Sequence, residues 1–273
     1  MKNLIRAEFM KIFKRLNVWV MLFLLLLFQN IPVIIAFVRE FGQASLYYLP
    51  RIFTTQLSTA STTSSLIGIL ILVLTVSSLG GEYGWGTLRT VLIRGTSRYE
   101  FISAKFVAIL CVLLFWFVSL LLLSLLLGWG LMVKMKQEIS WNFFNFSGGL
   151  TLLAYLAMAY YTVIPTVVLG FFWTVIGRSL GVGMGASIVH VVVADPLIFQ
   201  LFRSLGGFWS DLSPYTLTAL GRSVATFGLD VSLPLPFLSN QSLAALALFV
   251  YIFIFGAAAM KLFQRSDIRF TAA

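Results

Sequence analysis

Residues 106–133 read FVAILCVLLFWFVSLLLLSLLLGWGLMV, without one charged side chain. A helix needs about 20 mainly apolar residues to cross about 30 Å of hydrocarbon, and this run exceeds that length. Five other stretches meet the same standard: Leu16–Val38, Ala60–Leu79, Leu150–Ile176, Leu180–Phe202 and Leu243–Leu262. Strands of a membrane barrel would be short and alternating, so unbroken apolar runs of this length mean helices. The expected class is an all-α polytopic membrane protein with six spans, a single transmembrane domain over residues 1–273. The second span opens on hydroxyl residues, Ser58 to Ser65, which blur its start.

The rest of the 273 residues agree with this reading. The chain is 60% hydrophobic and 10% charged, with a mean hydropathy of +0.98. Soluble domains are about half apolar and about a quarter charged. One Cys and one His exclude a disulfide framework, a cysteine metal site and most histidine chemistry. Cys111, within the third span, reads as a buried filler.

Charge sets the orientation. With six spans the termini share a side, and that side carries thirteen Lys and Arg against six on the other. Basic residues concentrate in the cytoplasm, so both termini are expected there, in a cell-membrane protein. The net charge of +10 is then explained by topology and anionic headgroups; nucleic acid needs no place. Residues 1–15, MKNLIRAEFMKIFKR, put Leu4, Ile5, Phe9, Ile12 and Phe13 near one helical face with Lys and Arg around the other. That pattern suits a helix in the headgroup plane, and a basic topogenic tail also fits it. The first span is too long for a signal-peptide core and reads as an uncleaved anchor.

Residues 80–105, GGEYGWGTLRTVLIRGTSRYEFISAK, carry the most information. Glycines bracket a short helical stretch, Thr87 to Arg94, in which Leu88, Val91 and Leu92 share a face. Ser97 and Glu100 form a capping-box pattern. A short helix with an apolar face and flanking arginines suits docking onto a soluble partner. An ordinary turn lying on the membrane surface fits the same residues.

Glu82, Gly86-Thr87-Leu88-Arg89, Ser97-Arg98 and Lys105 resemble the cytoplasmic loop of type-2 ATP-binding-cassette (ABC) exporter permeases. Phe263-Gln-Arg265-Ser-Asp267-Ile268 resembles the Phe-x-Arg-x-Asp ending common there. The family often has Pro shortly before the Ser-Arg pair, where this chain has Gly95-Thr96. The resemblance implies that Thr87 to Arg94 is a coupling helix seated in a cleft of an ATPase, and that Glu82 orients the loop by pairing with a nearby Arg. The coupling residues it marks are Glu82, Gly86, Thr87, Leu88, Arg89, Val91, Leu92, Arg94 and Arg98. It further implies two ATPase subunits that bind ATP and Mg, a second permease copy or homologue, and a pathway near spans 1, 2 and 5. No Gly here precedes Lys, so the P-loop signature is absent and this chain is expected to hold no cofactor and to catalyse no hydrolysis itself.

Within the spans, ionisable groups are functional candidates. Asp195 before Pro196, and His190, are therefore possible pathway residues; at α-helical spacing the two would lie about 140° apart. Gln29 and Asn30 form a polar notch that lines a cavity or bonds another helix. Gly177, Gly181 and Gly185 recur every four residues, a close-packing row. Residues 203–242 are too long for a simple turn and are expected to hold two short outer helices or an irregular loop. Trp129 and Trp141 suit the interfacial belt. The expected function is the permease of an exporter for amphipathic peptides, lipids or hydrophobic drugs. An ATPase-independent transporter or channel is the alternative, and it would want several intramembrane charges.

Overall fold

The computed structural model describes residues 2–39, 66–93, 95–134, 146–225 and 241–265. The opening of the second span (60–65), Arg94, Trp141, Pro234, Pro236, Asp267 and Ile268 lie outside the described residues. Every regular element among the described residues is helical. We number them α1 (Lys2–Phe13), α2 (Leu16–Arg39), α3 (Leu66–Gly84), α4 (Thr87–Ile93), α5 (Arg98–Lys134) and α6 (Phe146–Gly177). Then come α7 (Leu180–Val189), a π-helical turn (His190–Ala194), α8 (Asp195–Leu205), α9 (Gly207–Leu212), α10 (Leu217–Ala225) and α11 (Gln241–Arg265).

Five segments among the described residues are long and apolar enough to cross a membrane: Ile67–Gly84, Arg98–Leu127, Leu153–Gly177, Leu180–Leu205 and Ser242–Arg265. The sixth joins Leu16–Ile31 to α1 through a 68° bend. That bend is held locally. Trp19 Nε1 donates to the Phe13 carbonyl at 2.9 Å, and the Phe13 ring meets the rings of Trp19 and Phe115 edge-on. Helix α1 packs along the start of α5 with Ile12 buried and Lys2, Arg6 and Lys14 exposed.

Helix α6 forms the centre, packed against α3, α7 and α11. The main core runs from Ile12 through Ile71, Leu88, Trp116 and Phe171 to Phe263, so the last helix and the first share one apolar cluster. Two close approaches tighten it. A Cβ on Gly80 would fall 2.9 Å from Leu180 Cα, and one on Gly170 would fall 2.9 Å from Thr75 Cγ2. Small residues let helix backbones meet where lipid offers no hydrophobic drive for association.

At the opposite end from the termini, the outer segment contains the two expected short helices, α9 and α10. Leu217, Leu220 and Val224 of α10 are buried, the last two beside Ala244 and Leu248 of α11. Cys111 is exposed on the surface of α5, which corrects its reading as a buried filler. Much of the third span's outer face meets lipid, where a thiol is as acceptable as a methyl.

Candidate functional site

Helix α4 has seven residues, too few to persist in water on its own, where helices shorter than about 12 residues are marginal. Its boundaries come from glycine. Gly86 (φ 65°) and Gly95 (φ 87°) occupy the left-handed region, which a residue with a Cβ reaches only under strain. A proline at Gly95 is excluded, since its ring fixes φ near −65°. What seats the helix is Leu88, fully buried, with Val91 packed on the same cluster. This corrects the expected docking face: Leu88 points into the chain's own core, because the feet of the neighbouring helices leave an apolar socket there. Among the described side chains here, Trp85 (72% exposed), Ile93 (73% exposed), Thr87 and Thr90 are exposed. The side chains of Arg89 and Leu92, like all of Arg94, lie outside the described residues.

Beneath α4 is a buried charge cluster. Lys105 of α5, Glu8 of α1 and Glu82 of α3 are 1%, 1% and 4% exposed. The Lys105 ammonium donates to Glu8 Oε2 at 2.7 Å, to the Ser78 carbonyl at 3.0 Å and to Glu82 Oε1 at 3.3 Å. All three of its protons are thereby used. Lys11 adds a second cation, 2.8 Å from Glu8 Oε1 and 3.6 Å from Glu82 Oε1. Thr87, the first residue of α4, donates its hydroxyl to Glu82 Oε2. Two carboxylates and two ammonium groups balance, with Glu8, Glu82 and Lys105 buried and Lys11 at the exposed edge of the cluster. Burial works against the charge on Lys11. The Glu8 hydrogen bond and the fields of Glu8 and Glu82 outweigh it and hold the ammonium above the usual lysine range.

The arginine expected to pair with Glu82 has no described counterpart, since the side chains of Arg89 and Arg94 lie outside the described residues. Among the described side chains, the partners of Glu82 are two lysines and a threonine. The physical reason is geometric. A compact ammonium can serve three acceptors converging from different helices, whereas a planar guanidinium presents its donors in a fixed fork. Arg15, nearby, is engaged elsewhere: it donates to the Ser77 carbonyl at 3.4 Å and lies 5.7 Å from the centre of the Trp85 ring. Glu8 was missing from the expected site. Its signal was present, because it is the only acid among the first 39 residues.

Arg98 closes the same end of the bundle. Ser97 and Glu100 make the reciprocal box, with the Glu100 N–H donating to Ser97 Oγ at 3.2 Å and the Ser97 N–H to Glu100 Oε2 at 3.3 Å. The guanidinium of Arg98 then reaches the C-terminus of α11, donating to the carbonyls of Gln264 at 2.7 Å and Phe263 at 3.3 Å. A cation there meets the negative end of the helix dipole.

The other candidates fall into structural roles. Asn30 is fully buried; its amide donates to the Leu26 carbonyl at 2.8 Å, and Ser124 Oγ donates to its oxygen at 3.3 Å, so the notch ties α2 to α5. Gln29 is half-buried beside it. Of the glycine row, Gly177 sits in the turn into α7, where a Cβ would fall 2.7 Å from Val182 Cγ1. Gly181 and Gly185 have open space around them, and close packing against α6 is made by Gly183, whose Cβ would meet Thr174 Cα at 2.9 Å. Within this chain the close approaches are thus at Gly177 and Gly183, while Gly181 and Gly185 face outward.

The π-turn overturns the α-helical spacing of His190 and Asp195. The Asp195 N–H bonds to the His190 carbonyl, an i→i+5 bond that puts the two one turn apart. Pro196 explains the widening, since its ring would clash with the carbonyl four residues earlier in a regular α-turn. His190 is half-buried, its ring 5.8 Å from that of Trp173. Asp195 accepts from the Leu217 N–H at 2.9 Å, the Thr218 N–H at 2.8 Å and the Thr218 hydroxyl. It caps the start of α10 across 22 residues of chain.

No His, Cys, Asp and Glu cluster able to hold a metal occurs among the described residues. What the arrangement offers is a short helix rigidly joined to the ends of several spans. No curated protein matches the sequence. A family model described as ABC-2 family transporter protein matches residues 4–204, well over half of the chain and including α4 and the charge cluster beneath it. The chain belongs to the ABC-2 transporter family and is a membrane permease of that type.

Proposed function

We propose that this chain is the membrane half of an ATP-driven exporter and that α4 docks on a separate ATPase subunit. The observation that carries this is the buried Glu8–Lys105–Glu82–Thr87 linkage. It joins the docking helix directly to α1, α3 and α5, so a push on α4 moves three elements as one body. Trp85 and Ile93, exposed beside it, supply the apolar anchors that dominate such interfaces. ATP and Mg belong to the partner, of which two copies serve two permeases.

The second permease copy fits the open face of α7, where Gly181, Val182, Gly185 and Val189 are exposed. Next to that face a cavity of about 380 Å³ lies among the α1–α2 elbow, α3 and the start of α7, lined by Arg15, Asn17, Ser77 and Trp85. This is the pathway's cytoplasmic mouth, apolar with a few polar groups, suited to an amphipathic peptide, lipid or drug. Both termini are cytoplasmic in this reading, and the membrane is the plasma membrane. An ion-coupled transporter is disfavoured because Asp195, the acid expected to serve it, is spent on backbone N–H groups.

The deciding experiment is reconstitution. The permease and its co-encoded ATPase in liposomes should show ATP-dependent substrate movement, and Ile93→Asp should abolish both that and co-purification. Transport by the permease alone, driven by an ion gradient, would overturn the proposal.

A further inference from the structure

A groove of about 770 Å³ opens between the first turns of α5, the middle of α6 and the last half of α11. Its deep part is lined by Val168, Phe171 and Ile252, and its rim by Tyr99, Lys261 and Gln264. The rim lies at the end of the bundle that holds the termini, where Arg98 meets α11. From Ile252 to Gln264 is roughly 18 Å of helix at about 1.5 Å per residue. One leaflet's share of about 30 Å of hydrocarbon is close to that. The groove therefore runs one leaflet deep, is apolar along its length and is polar only at its mouth.

The mouth is basic. Lys261 is exposed and, among the described residues, no carboxylate pairs with it; Arg98 and Arg265 stand beside it in the fold and in the chain. Gly256 lies on the wall, where a Cβ would meet nothing nearer than Val168 Cγ1 at 3.8 Å. That glycine is not used for helix contact, so its missing side chain is groove space. A transmembrane helix from another subunit would run the full thickness of the bilayer, whereas this groove stops halfway.

We propose that the groove holds one anionic phospholipid from the leaflet on the side of the termini, with an acyl tail along α11 and the headgroup on Lys261. A basic residue next to anionic lipid is worth about 1 kcal/mol, which corresponds to about fivefold in retention. The proposal does not depend on the docking of an ATPase.

The test uses the full chain, purified alone in detergent and supplied with phosphatidylglycerol or phosphatidylcholine of the same acyl composition. Bound lipid is counted by native mass spectrometry. Wild type should retain phosphatidylglycerol in preference. Lys261→Gln should lower that retention about fivefold with phosphatidylcholine unchanged, and Gly256→Leu should lower both by filling the groove. Equal retention of the two lipids by wild type would overturn the site, as would phosphatidylglycerol retention indifferent to both substitutions, or a protein helix found in the groove by electron microscopy. If Gly256→Leu does not fold, the exposed Lys261→Gln decides alone. Because no ATPase is present, the outcome is separate from that of the reconstitution.

Discussion

Lys105 and Glu8, 97 positions apart in the chain, meet at 2.7 Å with both side chains almost wholly buried. Nothing local brings them together. The contact exists because α1 folds back at the elbow and lies along α5, and it recruits Glu82 and Thr87 on the way to α4. Taking charges out of water costs several kcal/mol per ion. The cluster tolerates this through complete hydrogen bonding, and it breaks badly when one member is lost.

Lys105→Met should therefore destabilise the permease by about 3–5 kcal/mol, the usual penalty for leaving buried charge unpaired. Glu8→Gln alone should also lower the melting temperature. Combined with Lys105→Met it should cost less than the sum of the two, since the second change removes a carboxylate the first had orphaned. Lys105→Arg should not restore the wild-type value. Thermal unfolding of the purified variants in detergent measures all four, and strict additivity would mean the pair is not coupled.

Leu88 and Ile93 lie five residues apart on one short helix and should fail differently. Leu88 is fully buried and Ile93 is 73% exposed. Leu88→Asp places a charge in an apolar core and should cost more than about 3 kcal/mol, seen as low yield and aggregation on size-exclusion chromatography. Ile93→Asp should leave yield, elution and melting temperature within about 0.5 kcal/mol of wild type. If docking is the role of α4, it is Ile93→Asp that loses the ATPase.

The spans and the glycine bounds of α4 were legible in the sequence because a run such as 106–133 has one physical solution. The capping box was legible for the same reason: Ser97 and Glu100 satisfy each other within four residues. The partners of Glu8, the inward face of Leu88 and the cap made by Asp195 were not, because each contact joins distant segments; Glu8 stood out only as a lone acid in a basic stretch. The glycine row was legible only as a stripe. A repeat every four residues marks a helix face, and only the third dimension shows that Gly183, between two of its members, meets α6 while Gly181 and Gly185 face open space.

That difference can be measured. Gly183→Ala would force a Cβ to 2.9 Å from the Thr174 backbone and should lower stability by about 1–3 kcal/mol, the cost of overpacking. Gly185→Ala meets nothing within 4 Å and should be neutral or slightly stabilising through its helix propensity. Gly185→Leu tests the open face: a permease that pairs there should lose dimer in crosslinking while its monomer melts as before.

Arg98→Ala should loosen the end of α11 without disturbing the capping box. Two carbonyls, of Phe263 and Gln264, lose their donor. A hydrogen bond to a charged group contributes about 1.5–3 kcal/mol. Hydrogen exchange should accelerate over residues 258–265 and stay unchanged over residues 98–104, where Ser97 and Glu100 still hold the helix start.

Asp195 separates a structural acid from a transporting one. Its side chain offers two oxygens, and both are occupied: one accepts from the Leu217 N–H, the other from the Thr218 N–H and hydroxyl. Asn keeps one acceptor and turns an NH₂ group toward a donor. Asp195→Asn should thus cost about 1–2 kcal/mol, as loss of a helix cap does, and raise hydrogen exchange at residues 217–221. The π-turn gives this change a second readout, because Asp195 and His190 share its closing bond. Exchange at the Asp195 amide itself should stay slow, since that donor is backbone and survives the substitution. Substrate movement per folded molecule should be retained; loss of transport at full stability would instead place Asp195 on the pathway.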